Sequence, residues 1–219
     1  MTKEDVRRRI EEVGIIPSVR VRSVEDAMFA AEAVSHGGIP IVEIALTLPE
    51  AEKAISLLIQ NSPRVIVGAG GLPDVETARR CLDAGAQFLT SDGLDTETVR
   101  FAVQQNVVVI PGALTPTDVL TAWKLGPDFV KIVPCAQVGG PSYIRALKTM
   151  FPTVPLIAAG GVNQQTAPNF LSAGAVVLGI GAELIPREAI RMRQHDRIAE
   201  LARRFAGFVS TVRGEALGN

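Results

Sequence analysis

One lysine stands inside an apolar stretch of this sequence. Lys131 lies within the run Phe129 to Val133, which predicts a buried strand. An ammonium group is costly to bury, so an internal lysine is either paired or readily loses its proton. A neutral amine attacks carbonyl carbon, and Lys131 is therefore a candidate for Schiff-base chemistry.

Glycine-rich strand ends are the second feature that could do chemistry. Predicted strands end in Gly68-Ala-Gly70-Gly71, in Gly160-Gly161 and in Gly179-Ile-Gly181-Ala182. Backbone N–H groups at such turns can bind a phosphate or carboxylate, although tight turns also require glycine. The last two segments together favour an anion site. Arg20, at the end of the first predicted strand, could hold an anion through two hydrogen bonds.

Other polar residues receive structural interpretations. Asp92, in Thr90-Ser-Asp-Gly93, could be a polar residue of the site, but a turn aspartate is the favoured interpretation. His36 and His195 are expected to be ordinary surface residues. With no convergent histidine or carboxylate cluster in the pattern, we expect no metal site and no cofactor. Cys135 is expected to pack in the core, since no histidine is placed to activate it.

Eight apolar runs alternate with eight amphipathic segments. The strands are predicted near 15–19, 39–45, 64–68, 87–90, 107–111, 128–133, 155–158 and 176–179. The helices are predicted near 24–35, 49–60, 73–83, 96–104, 116–123, 141–150, 164–172 and 186–208, with prolines 49, 73, 116 and 141 at first helical positions. This order predicts a single α/β domain over 1–219, a (β/α)8 TIM barrel with an extra N-terminal helix near 2–12.

A weak internal repeat places several of these residues in one layer. Four predicted strands each follow a glycine, and five residues after those glycines come Glu43, Thr90, Lys131 and Gly179. Alternate strands of a barrel contribute side chains to the same interior layer. We therefore expect Glu43 and Lys131 near the C-terminal mouth, Thr90 between them in strand order, and room for a ligand beside Gly179. A buried ion pair that only braces the barrel is the alternative.

Composition narrows the class of protein. The chain has 219 residues, 47% of them hydrophobic, and a net charge of −1, which provides no field for nucleic acid or an anionic membrane. Its two cysteines are far apart and give no disulfide framework, and no apolar run approaches bilayer length. We expect a soluble, cytoplasmic protein that acts on a small molecule.

Several segments, in order along nearly the whole chain, match the motifs of one enzyme family. They include Ile16-Pro-Ser-Val-Arg20, Ile41-Val-Glu-Ile-Ala-Leu46, Val67-Gly-Ala-Gly70, Ile110-Pro-Gly-Ala-Leu-Thr-Pro-Thr117, Phe129-Val-Lys-Ile-Val-Pro134 and Ala159-Gly-Gly-Val162. The sequence resembles the 2-keto-3-deoxy-6-phosphogluconate (KDPG) / 4-hydroxy-2-oxoglutarate (KHG) aldolases. The resemblance implies a class I aldolase on a (β/α)8 barrel, usually a homotrimer. Such an enzyme cleaves a 2-keto-4-hydroxy acid to pyruvate and an aldehyde without metal.

The resemblance also implies roles for particular residues. Lys131 matches the Schiff-base lysine and Glu43 the general acid/base. The substrate-binding set that it implies comprises Arg20, Gly70, Gly71, Thr90, Pro111, Gly160, Gly161, Gly179, Gly181 and Ala182. Among these, Gly160, Gly161 and Gly181 match backbone positions of the phosphate pocket.

Five positions depart from the usual pattern of that family. Thr47 stands in place of an arginine, Gly71 in place of a threonine, and Ala159 in place of a threonine or valine. Ala182 replaces the phosphate-pocket serine, and Asp92 replaces the proline of a Ser-Pro-Gly turn. The lysine and glutamate are kept, while hydroxyls that orient the substrate are lost. We therefore expect retro-aldol chemistry with an altered substrate preference.

Two other functions fit the same residues. A sugar-phosphate isomerase or epimerase would use Glu43 as a base on the same barrel, with no covalent step. A non-enzymatic homologue would bind a sugar acid without releasing pyruvate. The aldolase reaction differs from both because it alone requires an imine on Lys131 and the release of pyruvate.

Overall fold

The computed structural model describes residues 1–217 and has one sheet of parallel strands surrounded by helices. The strands are β1 (Ile15–Val19), β2 (Ile41–Ala45), β3 (Ile66–Gly70), β4 (Phe88–Thr90), β5 (Val108–Ile110), β6 (Gly112–Ala113), β7 (Val130–Ile132), β8 (Leu156–Ala159) and β9 (Ala175–Ile180). Their order in the sheet is β5-β4-β3-β2-β1-β9-β8-β7-β6. The two ends of this order are neighbours in the chain, so the sheet bends into a nearly closed barrel. The predicted TIM-type fold is confirmed.

The barrel has nine strands instead of the predicted eight because the fifth is interrupted. β5 pairs with β4 and β6 pairs with β7, and Pro111 separates the two pieces. Proline has no N–H group to donate to a neighbouring strand, which breaks the ladder at this point. The Pro111 carbonyl still accepts a hydrogen bond from the Lys131 N–H group at 2.9 Å.

The helices pack around this sheet. They are α1 (Lys3–Val13), α2 (Val24–His36), α3 (Ala51–Asn61), α4 (Val75–Asp83), α5 (Thr96–Gln104), α6 (Pro116–Trp123), α7 (Pro141–Met150), α8 (Ala167–Ser172), α9 (Arg187–Arg191) and α10 (His195–Leu217). Within residues 1–217, none of them combines the length and the apolar character needed to cross a bilayer.

Local capping explains where the predicted helix ends were right and wrong. Pro116 and Pro141 begin α6 and α7 as predicted. α3 and α4 instead begin two residues after Pro49 and Pro73. In α4 the Asp74 carboxylate caps the helix by accepting from the Thr77 N–H group at 2.8 Å. The predicted helix near 186–208 is two helices, with Arg193 between them at φ 50°.

An apolar layer fills the half of the barrel that lies toward the N-terminal ends of the strands. It consists of Ile16, Ile41, Ile66, Phe88, Val108, Ile110, Phe129, Ile157 and Val177, together with Val6 and Ile10 from α1. The predicted extra N-terminal helix, α1, thus closes this end of the barrel. A side chain at Gly68 would overlap the Phe88 ring, so this layer needs a glycine beside its largest member.

Because Ile10 is completely buried against this layer, truncating it should leave a cavity. We expect Ile10→Ala to lower the free energy of unfolding by about 2–5 kcal/mol, measured by urea denaturation. Met150→Ala, at a position that is 50% exposed, is the control and should change it by less than about 0.5 kcal/mol. Equal losses of unfolding free energy in the two variants would contradict the conclusion that α1 closes this end of the barrel.

Candidate active site

Six polar side chains form a closed ring above the apolar layer, toward the C-terminal ends of the strands. We call it the polar ring, and its members in order are Arg20, Ser18, Glu43, Thr90, Lys131 and Asp92. Each member contacts the next, and the last contact joins Asp92 back to Arg20. Two cations and two carboxylates are therefore held together, and the ring is neutral overall when all four are ionised.

Glu43 is the buried carboxylate of the polar ring. Its Oε1 accepts from the Ser18 hydroxyl at 2.8 Å, and its Oε2 accepts from the Thr90 hydroxyl at 2.7 Å. The residue is only 6% exposed. A side chain at Gly70 would overlap the Glu43 carboxyl group, so the glycine leaves space for the carboxylate to lie across β3. Glu43 is thus held by both oxygens in a fixed position.

Lys131 projects from β7 into the same layer. Its Nζ donates to Asp92 Oδ1 at 2.7 Å and to the Thr90 hydroxyl at 3.4 Å, and its side chain is 7% exposed. Thr90 lies between the lysine and Glu43, as strand order predicted. The ionic partner of Lys131, however, is Asp92 and not Glu43. A proton can pass between Lys131 and Glu43 only through the Thr90 hydroxyl or another intervening donor.

For Asp92 the structure supports the less favoured interpretation, a polar residue of the site, over a plain turn aspartate. Its carboxylate contacts Lys131 on one oxygen and lies 3.8 Å from Arg20 Nη2 on the other. Burial alone would raise the pKa of Asp92, but Lys131 and Arg20 outweigh this effect and lower the pKa below its ordinary value. The only sequence signal for this role was the departure from the Ser-Pro-Gly turn.

Gly112 fixes the loop that carries Asp92. A side chain at Gly112 would overlap the Asp92 carbonyl group, and the Gly112 N–H group donates to the Gly93 carbonyl at 3.2 Å. The loop after β4 therefore packs directly on β6, next to Lys131 on the neighbouring strand. Sequence reasoning missed both Gly112 and Ser18, whose roles depend on contacts between distant segments.

The strand-end glycines form a turn rich in N–H groups. Gly160 and Gly161 have φ of 81° and 86°, which favour glycine. A side chain at Gly160 would lie 2.9 Å from Pro134 Cα, and one at Gly161 would overlap Ala136. In the part of the chain that the structure describes, the N–H groups of Gly160, Gly161, Gly181 and Ala182 donate to no protein acceptor. These groups are available to an anion.

The expected gap beside Gly179 is filled. A Cβ atom at Gly179 would lie 2.9 Å from Ala159 Cβ, so the side chain of the neighbouring strand occupies the space predicted for a ligand. Open volume lies elsewhere, in a cleft of about 370 Å³ at the mouth. Its walls include Arg20, Thr47, Gly70, Gly71 and Asp92. An adjoining cleft of about 600 Å³ shares Arg20 and Thr47.

Two further expectations were tested by burial and contact. Cys135 is completely buried, and this burial raises its pKa to about 12, so the core-packing interpretation is confirmed. The two histidines lie at the surface as expected, with His36 exposed and His195 half-buried, but they are in contact with each other. His36 Nδ1 lies 2.9 Å from His195 Nε2, and Glu32 joins them, so the expectation of no convergent histidine cluster was wrong.

The family follows from a comparison with known proteins. The family model described as "Aldolase: KDPG and KHG aldolase" matches residues 6–201. The chain belongs to the KDPG and KHG aldolase family. It is therefore an aldolase, a carbon–carbon lyase of the family that cleaves 2-keto-3-deoxy sugar acids.

Relatives of this aldolase cover most of its length. The KHG/KDPG aldolase of Escherichia coli strain K12 is 29% identical over 189 residues, which are 86% of this chain and 89% of that protein. The 2-dehydro-3-deoxy-phosphogluconate aldolase of Treponema pallidum is 29% identical over 193 residues, 88% of this chain and 92% of that protein. A crystal structure of KDPG aldolase from Legionella pneumophila has a TM-score of 0.82 and 28% identity, covering 90% of this chain and 96% of that one.

The lowered pKa of Asp92 predicts a pH-dependent contribution to stability. Its ionised form stabilises the fold at pH values above the unfolded-state pKa, and this contribution is lost as the pH falls through the lowered folded-state pKa. Asp92→Asn lacks the contribution at every pH. The gap in melting temperature between wild type and D92N should be present at pH 7 and should narrow below about pH 4.

Thermal melts between about pH 3 and pH 8 measure this gap, which should correspond to no more than about 1 kcal/mol because Asp92 is half exposed. Asp83→Asn, at an exposed carboxylate that forms no ion pair among the described residues, is the control and should show no such pH dependence. A D92N gap that stays constant across this range would contradict the ionic contact with Lys131.

Proposed function

We propose that this aldolase cleaves a 2-keto-3-deoxy acid through a Schiff base on Lys131, without a metal ion. The observation that supports this proposal is the buried Lys131 amine linked through Thr90 to the carboxylate of Glu43. The related Legionella pneumophila enzyme is described with pyruvate captured as a covalent carbinolamine intermediate, which is the chemistry expected of such an amine. From the family resemblance alone, we also propose a homotrimer.

Lys131 must first lose a proton. Asp92 is the base nearest to Nζ, and its carboxylate accepts that proton when the substrate enters. A substrate carboxylate that binds Arg20 would draw the guanidinium away from Asp92. Because Arg20 helps to lower the pKa of Asp92, its withdrawal raises that pKa and favours proton transfer from the lysine.

Carbon–nitrogen bond formation then follows. The neutral amine attacks the C2 ketone and gives a carbinolamine. During this addition Glu43 relays one proton, through Thr90 or a bound water, from the nitrogen to the oxygen. Protonated Asp92 then donates the proton that it took from the ammonium to the departing hydroxyl, which leaves as water, and Asp92 is again a carboxylate. The product is an iminium ion, whose positive charge replaces that of the ammonium opposite Asp92. The neutral balance of the polar ring is thereby restored, which stabilises the intermediate.

The iminium ion is the electron sink for cleavage. The Glu43 carboxylate accepts the proton of the C4 hydroxyl, the C3–C4 bond breaks, and its electron pair forms an enamine as the aldehyde leaves. Glu43 returns the proton to C3 of the enamine. Water then hydrolyses the resulting iminium and releases pyruvate and the free lysine.

The anionic ends of the substrate would be held in two places. Arg20 lines the mouth cleft beside Asp92, and the free N–H groups of Gly160, Gly161 and Gly181 offer a second anion site. Ala182 has no hydroxyl with which to donate to a phosphate. We therefore propose that the enzyme discriminates little between phosphorylated and unphosphorylated keto acids.

Trapping with borohydride tests the covalent step. Wild-type enzyme reduced in the presence of pyruvate should gain the mass of one reduced pyruvate unit, and peptide mapping should place it on Lys131. Lys131→Met should form no adduct and lose pyruvate release, because no amine remains to form the imine. Thermal melts of K131M establish that it is folded.

Lys124→Met, at an exposed lysine, is the matched control and should retain both adduct and turnover. A wild-type enzyme that consumes a sugar phosphate yet forms no adduct would favour the isomerase or epimerase function instead. Ligand binding without pyruvate release would favour the non-enzymatic homologue.

Ala182→Ser tests the proposed substrate preference. A restored hydroxyl in the phosphate pocket adds a hydrogen bond to a charged group, which contributes about 1.5–3 kcal/mol. A182S should therefore raise kcat/KM for the 6-phosphorylated keto acid by about tenfold or more. The unphosphorylated keto acid is the control substrate and should be unaffected. Pyruvate release measures both, and an equal change for the two substrates would contradict the proposed phosphate site.

A further inference from the structure

Three groups that can ligate a metal meet on the outer surface, between α2 and α10. Glu32 and His36 are one helical turn apart on α2, and His195 is the first residue of α10. One ligand atom from each of the three lies within 4.8 Å of the others. Residues separated by more than 150 positions in the chain therefore converge on a point.

The two imidazole rings already have the spacing of a ligand pair. His36 Nδ1 lies 2.9 Å from His195 Nε2, so one nitrogen donates its hydrogen to the lone pair of the other and the two ring nitrogens face each other. Metal–nitrogen bonds of about 2.0–2.1 Å in a tetrahedral site place two ligand atoms about 3.3 Å apart. An ion would replace the shared hydrogen after a displacement of only a few tenths of an ångström.

The surroundings restrict how the rings can move. The Phe29 ring packs edge-on against His195, with centroids 6.0 Å apart. A side chain at Gly37 would overlap Ala199 and Ala202 of α10, so the two helices are in close contact directly beside the histidines. Asp196 Oδ1 lies 3.6 Å from His195 Nδ1, the nitrogen that remains when Nε2 binds a metal. The Asp196 carboxylate would have to move closer by about half an ångström to accept a hydrogen bond from that nitrogen.

We propose that Glu32, His36 and His195 bind one late first-row transition-metal ion, foremost Zn²⁺, with water as a fourth ligand. Two imidazoles and one carboxylate suit Zn²⁺, Co²⁺ or Ni²⁺, whereas Mg²⁺ and Ca²⁺ prefer oxygen ligands alone. Soft competing ligands are inaccessible, because both cysteines, Cys81 and Cys135, are completely buried. Glu32 and His36 line an open groove of about 770 Å³, which gives the ion a path from solvent.

The proposed ion would act as a clamp and not in the aldol reaction. α2 runs from the C-terminal end of β1 to the start of β2, so His36 lies at the opposite end of the barrel from Asp92 and the mouth cleft. An ion that binds only where α2 and α10 are packed together stabilises the folded chain by mass action. The inference stands independently of the chemistry proposed for Lys131.

Calorimetric titration with ZnCl2 tests the site directly. The full chain, free of any polyhistidine tag and stripped with EDTA, should bind one Zn²⁺ per chain with micromolar affinity. His36→Gln and His195→Gln should each weaken binding by about tenfold or more, since each removes a ligand. Glu25→Gln changes a carboxylate in the same groove that pairs with Arg193, and it should bind Zn²⁺ like wild type.

A second readout needs no variant. The sequence has only two histidines, so two imidazole Hε1 signals are expected in the proton NMR spectrum of wild type. Both should shift or broaden together at one equivalent of Co²⁺. Absence of Zn²⁺ binding at about 100-fold above micromolar concentration, independent behaviour of the two signals, or unchanged affinity in both histidine variants would overturn the proposal.

Discussion

The positive charge of Lys131 is the constraint that determines the arrangement of side chains at the C-terminal end of the barrel. An ammonium enclosed by apolar strands must be balanced without filling the space that the substrate needs. The polar ring meets both demands, because two carboxylates offset Lys131 and Arg20 while two hydroxyls separate Glu43 from the cations. Separation by a hydroxyl keeps Glu43 within reach of a proton relay without committing it to a direct ion pair.

Glycines, which have no side chain, position the polar ring as much as its own members do. Gly70 leaves the volume that the Glu43 carboxyl group occupies, and Gly112 lets the Asp92 loop approach β6. Below them, Gly68 makes room for the Phe88 ring, which supports the layer on which the ring rests. An added methyl group at any of these glycines would act on the site through packing, since interiors are close-packed and cannot absorb it locally.

The fold could be predicted because its signals are local. Apolar periodicity and capping residues such as Thr115 set each element, and alternation along strands placed Glu43, Thr90 and Lys131 in one layer. The partners of those residues could not be predicted in the same way. Asp92 reaches Lys131 only because two loops pack together, and the filled space beside Gly179 depends on the register of a neighbouring strand.

The same ring explains how a carboxylate beside the lysine can be tolerated in an aldolase. Asp92 favours the ammonium and thus opposes the first step of the proposed mechanism, but it would stay close to the same nitrogen when that atom carries the iminium charge. A contact that is equally strong in both states leaves their difference in energy unchanged. The neutral amine is the state that lies between the ammonium and the iminium. The effect of Asp92 on the rate therefore depends on how this neutral amine forms, because the proton that leaves the ammonium needs an acceptor. In the proposed mechanism Asp92 itself is that acceptor, and Arg20, 3.8 Å away, would connect its basicity to the arrival of a substrate anion.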